Sequence, residues 1–504
     1  MPAPIRVVLL ATALAGWFLP LPCVGQTASP YITLDDPRLP LLEHLIARGD
    51  VEDPSPMVRP FRRADAVRVL AAADTGNAGL SAPLIRQLRN EFEDPSGNVW
   101  TLSGRLGGQA YTHARRELLH PVGPDGVRPY VEAAASAVFG NLVLVTRPTI
   151  EPRLVNDPDW LGRRELKLAG RVADAYISAQ FKYASLFYGQ TDRNWGPLGL
   201  PGIPLSNYGY ERQGLAIEVG AGPLRLSALA TDLLDQPDSI GQTLHRYYFV
   251  HRLQIRASRR LWLGPWEGII VAGRNRNFET RFRNPLSLGY LANTIGFGDR
   301  SNVMLGLDVL WRAWRKTSLQ AQLALDDFWY DDRQRNRDRW ALTIGAQGAL
   351  GSTAGWQALY TQVSSLALRA FNPAENFTDG GVGIGRNFSD QDQLTVRATL
   401  PLRNRWLLAP ELTVLRQGEG QINDPYPVPD ANGVLSTPAL FIGVVEKTYR
   451  AAVAFSGRSG PLDLLVNAGF HHVVNSGHVP GNSVDRFEGR LQATVGLWRK
   501  GVFQ

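Results

Sequence analysis

The chain has 504 residues, 20% of them charged and 44% hydrophobic, and a mean hydropathy of −0.16. That balance excludes a disordered chain and a bundle of apolar membrane helices, and the length suits several average domains or one large closed barrel. The net charge of +7 rests on a lopsided basic set, because five lysines leave 48 arginines among 53 basic residues. Arginine holds carboxylates and phosphates through a planar fork that lysine lacks, although codon usage in a GC-rich genome gives the same bias.

Residues 1–25 read as a cleaved export signal. Arg6 supplies the positive start, Val7 to Leu19 a short apolar stretch, and Cys23-Val24-Gly25 a small-residue cleavage site before Gln26. Lipidation of Cys23 is the competing reading, and Pro20 and Pro22 argue against it. Cleavage after Gly25 leaves a mature chain without cysteine, hence without disulfides, thiolate metal sites or cysteine nucleophiles. This fits a bacterial cell-envelope protein.

Residues 26–97 carry helical punctuation and are expected to form a small periplasmic helical module. Asp36 reads as an N-cap before Pro37, with Leu39, Leu42, Leu45 and Ile46 on one stripe and Gly49 as the stop. A second helix is expected over Ala64 to Ala73. A third starts at Ser81, with Leu84, Leu88 and Phe92 on one face. So short a module makes only a thin core and should pack on the remainder of the chain.

From about Trp100 the hydrophobic period changes to two. Leu319, Ala321, Leu323 and Leu325 alternate with Ser318, Gln320 and Gln322, and Leu394, Val396 and Ala398 alternate with Thr395 and Arg397. Residues 175–190 read as one long strand. Short turns are expected near 139–141, 173–174, 220–222, 258–260, 314–317, 351–354, 403–404 and 458–460. Long connections alternate with them, near 114–128, 151–163, 191–210, 233–244, 275–300, 331–338, 371–391, 418–438 and 475–485. Seventeen connections join 18 strands, so the fold class is mainly β: over residues 98–504, a transmembrane antiparallel β-barrel of about 18 strands with a polar interior, after the helical module. Tyr247, Phe249, Trp262, Trp266, Trp311, Trp314 and Phe328-Trp329-Tyr330 are expected at the membrane interfaces.

Enzyme signatures are missing: no nucleophile elbow, zinc-protease helix or phosphate loop occurs. Gly381-Val-Gly-Ile-Gly385 resembles a nucleotide loop only superficially, and His471 and His472 are adjacent and so face opposite ways on a strand. No cofactor, metal, catalytic residue or nucleic-acid partner is expected.

The informative stretch is the Gly- and Pro-rich loop after Gln190. Trp195 offers a flat apolar face, and Asp192, Arg193 and Asn194 offer groups that suit sugar hydroxyls and acidic sugars. The alternative is that the loop folds inward and constricts the barrel, with Trp195 packed and Asp192 paired to Arg193. The run Tyr188-Gly-Gln-Thr-Asp-Arg-Asn-Trp-Gly-Pro197, followed by Leu205-Ser-Asn207, resembles the Wzi-type capsule-assembly family of outer-membrane proteins. Further similarity lies in Leu39 to Asp50, Arg59-Pro60-Phe61, Arg281–Pro285, Gly306-Leu-Asp308 and Ala324-Leu-Asp-Asp327. The chain departs from that pattern in the longer Leu198-Gly-Leu-Pro-Gly202.

The resemblance implies an 18-stranded barrel in the bacterial outer membrane, largely closed inside, that acts as a lectin for exported capsule or exopolysaccharide. On this reading Trp195 stacks on a sugar, Arg193 and Arg212 bind acidic groups, and Asp192 orders the arginine beside Asn194. Surface polysaccharide and outer-membrane lipid are the expected partners, with periplasmic export machinery as a further one, and the chain is expected to be a monomer. The alternative is a porin-like channel for small anionic solutes, lined by Arg252, Arg256 and Arg397.

Overall fold

The computed structural model describes residues 28–73, 79–95, 97–276, 282, 284–294, 301–327, 337–403 and 405–503. The export-signal reading and the aromatics Phe328, Trp329 and Tyr330 lie outside the described residues.

Three helices come first: α1 (Leu39–Ala47), α2 (Arg63–Ala72) and α3 (Ala82–Phe92). Asp36 does not cap α1 as expected. Its carboxylate accepts the Arg38 backbone N–H (2.9 Å) in a turn, and the helix begins only at Leu39. The stripe of Leu39, Leu42, Leu45 and Ile46 is buried against Val69, Leu70, Leu84, Leu88 and Phe92. Leu407 of the barrel wall joins the same cluster, so the thin core is completed by the barrel.

Eighteen strands follow in one sheet. They are β1 (Val99–Tyr111), β2 (Gly126–Phe139), β3 (Leu142–Ile150), β4 (Gly170–Gln180), β5 (Ala184–Thr191), β6 (Arg212–Ala221), β7 (Leu224–Pro237), β8 (Thr243–Arg256) and β9 (Leu261–Gly273). The second half comprises β10 (Asn302–Trp314), β11 (Thr317–Asp327), β12 (Arg339–Leu350), β13 (Ala354–Val363), β16 (Gln391–Leu402), β17 (Trp406–Gln417), β18 (Glu446–Ser459), β19 (Leu462–Val474) and β20 (Ser483–Val502). A separate small hairpin, β14 (Thr378–Asp379) and β15 (Val382–Gly383), lies in the loop between β13 and β16. Each barrel strand pairs antiparallel with its neighbours in sequence, and β20 closes the sheet on β1, with Val99 opposite Val502 and Tyr111 opposite Arg490.

The alternation is inside out. Gln320, Gln322 and Thr395 are buried, whereas Leu323, Leu325, Leu394 and Val396 are exposed. Leu102, Leu106, Phe470 and Leu497 extend this apolar exterior. His471 is buried and its neighbour His472 is exposed beside Asp485, as period two requires. A closed barrel with an apolar outer face and polar inner face is the architecture of an outer-membrane protein.

Seven of the expected short turns fall between strands as read, and one is corrected. Ala173 and Asp174 lie within β4, and the chain reverses at Phe181–Tyr183, where Phe181 N–H donates to the Ala184 carbonyl (2.8 Å). The supposed single strand over 175–190 is therefore parts of β4 and β5. A Phe-Lys-Tyr turn lacks the Gly, Pro, Asn or Asp that punctuates most reversals, so the apolar pattern masks it. The long connection expected at 233–244 shrinks to five residues, because β7 extends to Pro237 and β8 starts at Thr243. Trp311 and Trp314 are exposed outside as expected. Trp266 instead points inward and donates from Nε1 to Asp308 (2.9 Å), and Phe249 is covered by Phe282.

The helices sit at the short-turn end. Arg48 donates to the carbonyls of Ser352 (2.9 Å) and Ala354, Lys316 meets Asp50 at 3.3 Å, and Arg256 meets Glu52 at 3.0 Å. Ahead of them, residues 28–35 run inside the wall: Gln180 brackets Ser29, and Arg147 binds Asp35 (2.7 Å).

Candidate functional site

The loop after β5 turns into the lumen and crosses towards the helices. Arg59 and Asn194 exchange backbone hydrogen bonds (2.9 and 3.2 Å), and Trp195 N–H donates to the Leu205 carbonyl (2.8 Å). Trp195 is 3% exposed and packs with Ile203, Leu205, Tyr248, Trp266 and Met304. Gln322 stitches the seam: its Nε2 donates to the Trp195 carbonyl (3.0 Å) and Asp308 (2.8 Å), and its Oε1 accepts from Ile203 N–H (2.8 Å). Gly202 is required for this fold-back, since a Cβ there would run into the Trp195 carbonyl oxygen. The Leu198–Gly202 extension is thus what lets the loop double over its own tryptophan.

The five residues singled out from sequence separate. Asn194 closes the loop by accepting from Gly202 N–H (2.6 Å) and donating to the Leu200 carbonyl (3.1 Å). Arg193 lies over the Phe187 ring (4.4 Å), and burial lowers its pKa. Arg212 is held by Asp379 of β14 (3.1 Å). Asp192 faces Arg116 (3.6 Å) rather than Arg193, and alone of the five it lines the large open space of the lumen. Trp195 as packed presents no ring face to a sugar.

That space is a cavity of about 610 Å³ on the other side of the lumen, walled by β16–β20, β1 and β2, by α1 below and by loop segments 116–120, 198–201 and 386–388. Its arginines are held by carboxylates: Arg153 by Glu151 (2.8 Å) and Asp157 (2.6 Å), Arg171 by Glu211, and Arg397 and Arg450 by Glu411. Glu151 shows the resulting field. Burial opposes its ionisation, yet Arg153, Arg171 and Arg490 bring its pKa to about 2. Glu117 is also held below its usual value against burial, by His120 and by the backbone N–H groups of Leu119 and His120. His120 stacks on Phe388 (centroids 3.6 Å, 22° between planes), and Tyr208 meets the same ring edge-on at 5.4 Å.

Arg386 is the exception. It is 4% exposed, lines the cavity and donates from one Nη to Thr343 Oγ1 (3.1 Å), with its Nε unpartnered. Among the described residues no carboxylate lies within 4.0 Å of it, and burial pushes its pKa down to about 10. The Oε1 atoms of Gln391 and Gln109, also on the cavity wall, are buried acceptors without a donor.

Sequence reasoning missed Arg386, Phe388, Gln391 and the 116–120 segment. One signal was available: Arg386-Asn387-Phe388 repeats the Arg-Asn-aromatic order of Arg193-Asn194-Trp195. The glycine run before it forms the β14–β15 hairpin and then approaches the other loop, where a Cβ on Gly385 would meet the Ile203 carbonyl.

No protein-family model and no curated protein matches this sequence. Among solved structures, the fold is similar to Wzi of Escherichia coli, an outer-membrane protein involved in group 1 capsule assembly and described as a carbohydrate-binding β-barrel. The TM-score is 0.64 at 14% identity, covering 93% of this chain and 99% of that one. OprD of Pseudomonas aeruginosa matches with a TM-score of 0.44 at 11% identity over 79% of this chain and 95% of its own. OccAB4 of Acinetobacter baumannii matches with a TM-score of 0.44 at 9% identity, over 80% and 98%. The resemblance first read from the 188–197 motif thus extends to the whole architecture, and this chain has the Wzi fold: a closed 18-stranded outer-membrane barrel with a small N-terminal helical segment.

Proposed function

We propose that this protein is a non-enzymatic outer-membrane component that binds exported capsular or exopolysaccharide and helps assemble or retain it at the cell surface. One observation carries the reading: the lumen is obstructed by its own loop and helices, yet keeps a cavity of about 610 Å³, lined by arginines, glutamines and apolar side chains, beneath the loops of the long-connection end. Pockets of about 300–1,000 Å³ suit small ligands, and hydroxylated rings need the amide and arginine groups that line this one. Asp192 belongs to the binding wall on this reading, whereas Arg193, Asn194, Trp195 and Arg212 shape the loop behind it. The Wzi likeness supports the same reading through the carbohydrate binding described for that protein.

The alternative, a porin-like channel for small anionic solutes, needs a ladder of free inward arginines. Arg252 is paired with Asp308 (3.0 Å), Arg256 with Glu52 and Arg397 with Glu411, so their charges are neutralised locally. Residues 26–97 would serve as a periplasmic module that seals the barrel and meets the export machinery, with the chain acting as a monomer in outer-membrane lipid.

The test is the split of extracellular polysaccharide between cells and medium, with the gene intact or deleted. Release of polymer on deletion at unchanged total synthesis supports the reading. An unchanged split refutes it and gives the channel reading the lead.

A further inference from the structure

Six of the seven arginines on the cavity wall have a carboxylate within 4.0 Å; among the described residues, Arg386 has none. Buried polar groups are almost always satisfied, and a buried guanidinium without a counter-charge is the costliest exception. It cannot escape by losing its proton, because arginine stays charged under all physiological conditions. Its fork matches a carboxylate in a two-point, planar geometry. Around the same space, Gln391 and Gln109 present lone pairs without donors, which is what ring hydroxyls would supply.

We propose that this cavity takes one carboxylate-bearing sugar residue, a uronate, with Arg386 gripping the carboxylate and Gln391 and Gln109 accepting its hydroxyl hydrogens. The assignment rests on the glycan-binding reading for the class of ligand and adds its charge, its orientation and its place inside the barrel rather than on the loop tips. Arg386 follows the β14–β15 hairpin whose Asp379 holds Arg212, and Ile384 of the same loop packs with Trp195. The loop that recognises the sugar is therefore fixed by the packed side of the lumen.

The test is ligand-observed NMR titration of the purified full chain in detergent with sodium glucuronate, glucose and sodium acetate. Wild type is expected to bind glucuronate at least about tenfold more tightly than either glucose or acetate. Arg386→Gln should weaken glucuronate at least about tenfold, the loss of one charge-assisted hydrogen-bond pair. Gln391→Leu should weaken glucuronate by about fivefold and leave acetate unchanged, a readout that holds even should Arg386→Gln fail to fold. Equal binding of glucose removes the charge anchor, and equal binding of acetate shows an anion pocket without sugar recognition. Either result, or glucuronate binding indifferent to both substitutions, overturns the proposal. Polymer release on gene deletion without glucuronate binding sinks this inference alone. Glucuronate binding with no polymer release sinks the surface-retention reading and leaves the cavity assignment standing.

Discussion

The two sides of the lumen are built in opposite ways. Along β7–β12 the inward positions include Leu229, Tyr248, Val250, Trp266, Ile270 and Met304, which pack on Trp195 and Ile203 of the crossing loop. Along β16–β20 and β1 the inward positions include glutamines, threonines and arginine–carboxylate pairs, with Ala409, Ala454 and Leu465 among them, around open space. Large apolar groups concentrate inward where the crossing loop supplies a dry surface to bury them, and burial then stabilises at about 25 cal/mol per Å². One side thus fixes the loops, and the other is left free to hold a ligand.

If the dry seam positions the loops, Trp195→Ala should cost about 3–5 kcal/mol, the usual range for emptying a buried aromatic site. The urea midpoint of the folded barrel measures it, and a change below about 1 kcal/mol would break the comparison. On the polar side, Arg147→Ala should cost a similar amount, about 3–5 kcal/mol, by leaving Asp35, Glu132 and Asp174 facing one another without their shared cation. It should also free residues 28–35 for proteolysis, which Trp195→Ala should not.

Acid should separate the helical plug from the loops. The His44 pKa is lowered to about 4 by burial and Arg48, so the unfolded state takes up protons first as pH falls below 6.5. The stabilisation from neutral His44 is complete above pH 6.5 and is lost between 6.5 and about 4, to a limit of about 3 kcal/mol. Glu151 has the opposite chemistry. Its lowered pKa stabilises the fold above its usual value of 4.5, and that contribution is lost only as pH falls towards about 2. Hydrogen exchange should therefore rise in residues 39–47 before it rises in residues 151–157, and His44→Gln should remove the earlier step.

The smallest effect is expected at Asp390, whose carboxylate accepts the N–H groups of Ile442 (2.9 Å) and Gly420 (3.1 Å) and so joins two long loops. Asp390→Ala should cost about 1–3 kcal/mol in global stability. It should loosen residues 418–445 by hydrogen exchange while leaving the Trp195 seam protected.

The barrel was legible because a membrane wall imposes period two on every strand and forbids unpaired edges, so Leu323 and Gln322 could be assigned to opposite faces from sequence alone. The turn at Phe181–Tyr183 was not legible, because its residues continue the alternation that defines the strands. Phe249 and Trp266 were misplaced for a related reason. An aromatic in a strand reads the same whether it meets headgroups, a covering loop or a lumenal partner such as Asp308.

For the candidate site the sequence marked one loop as unusual, through Asp192 to Pro197, but did not show that Trp195 packs in the lumenal seam with Ile203 and Leu205. It was silent on Arg386, which is one arginine among 48 until its surroundings are known.

The sequence by itself determined the inside-out alternation, the barrel class and the helical segment that precedes it, since each follows from local periodicity and punctuation. Only the tertiary structure decided which loops fill the lumen, which arginines are neutralised and where space remains. Those outcomes depend on contacts between residues far apart in the chain: Trp195 with Gln322, Arg147 with Asp35, and Arg386 with no carboxylate among the described residues. No periodicity encodes such pairings, because whether the fixed charge of a buried arginine is balanced depends on what the folded chain brings beside it.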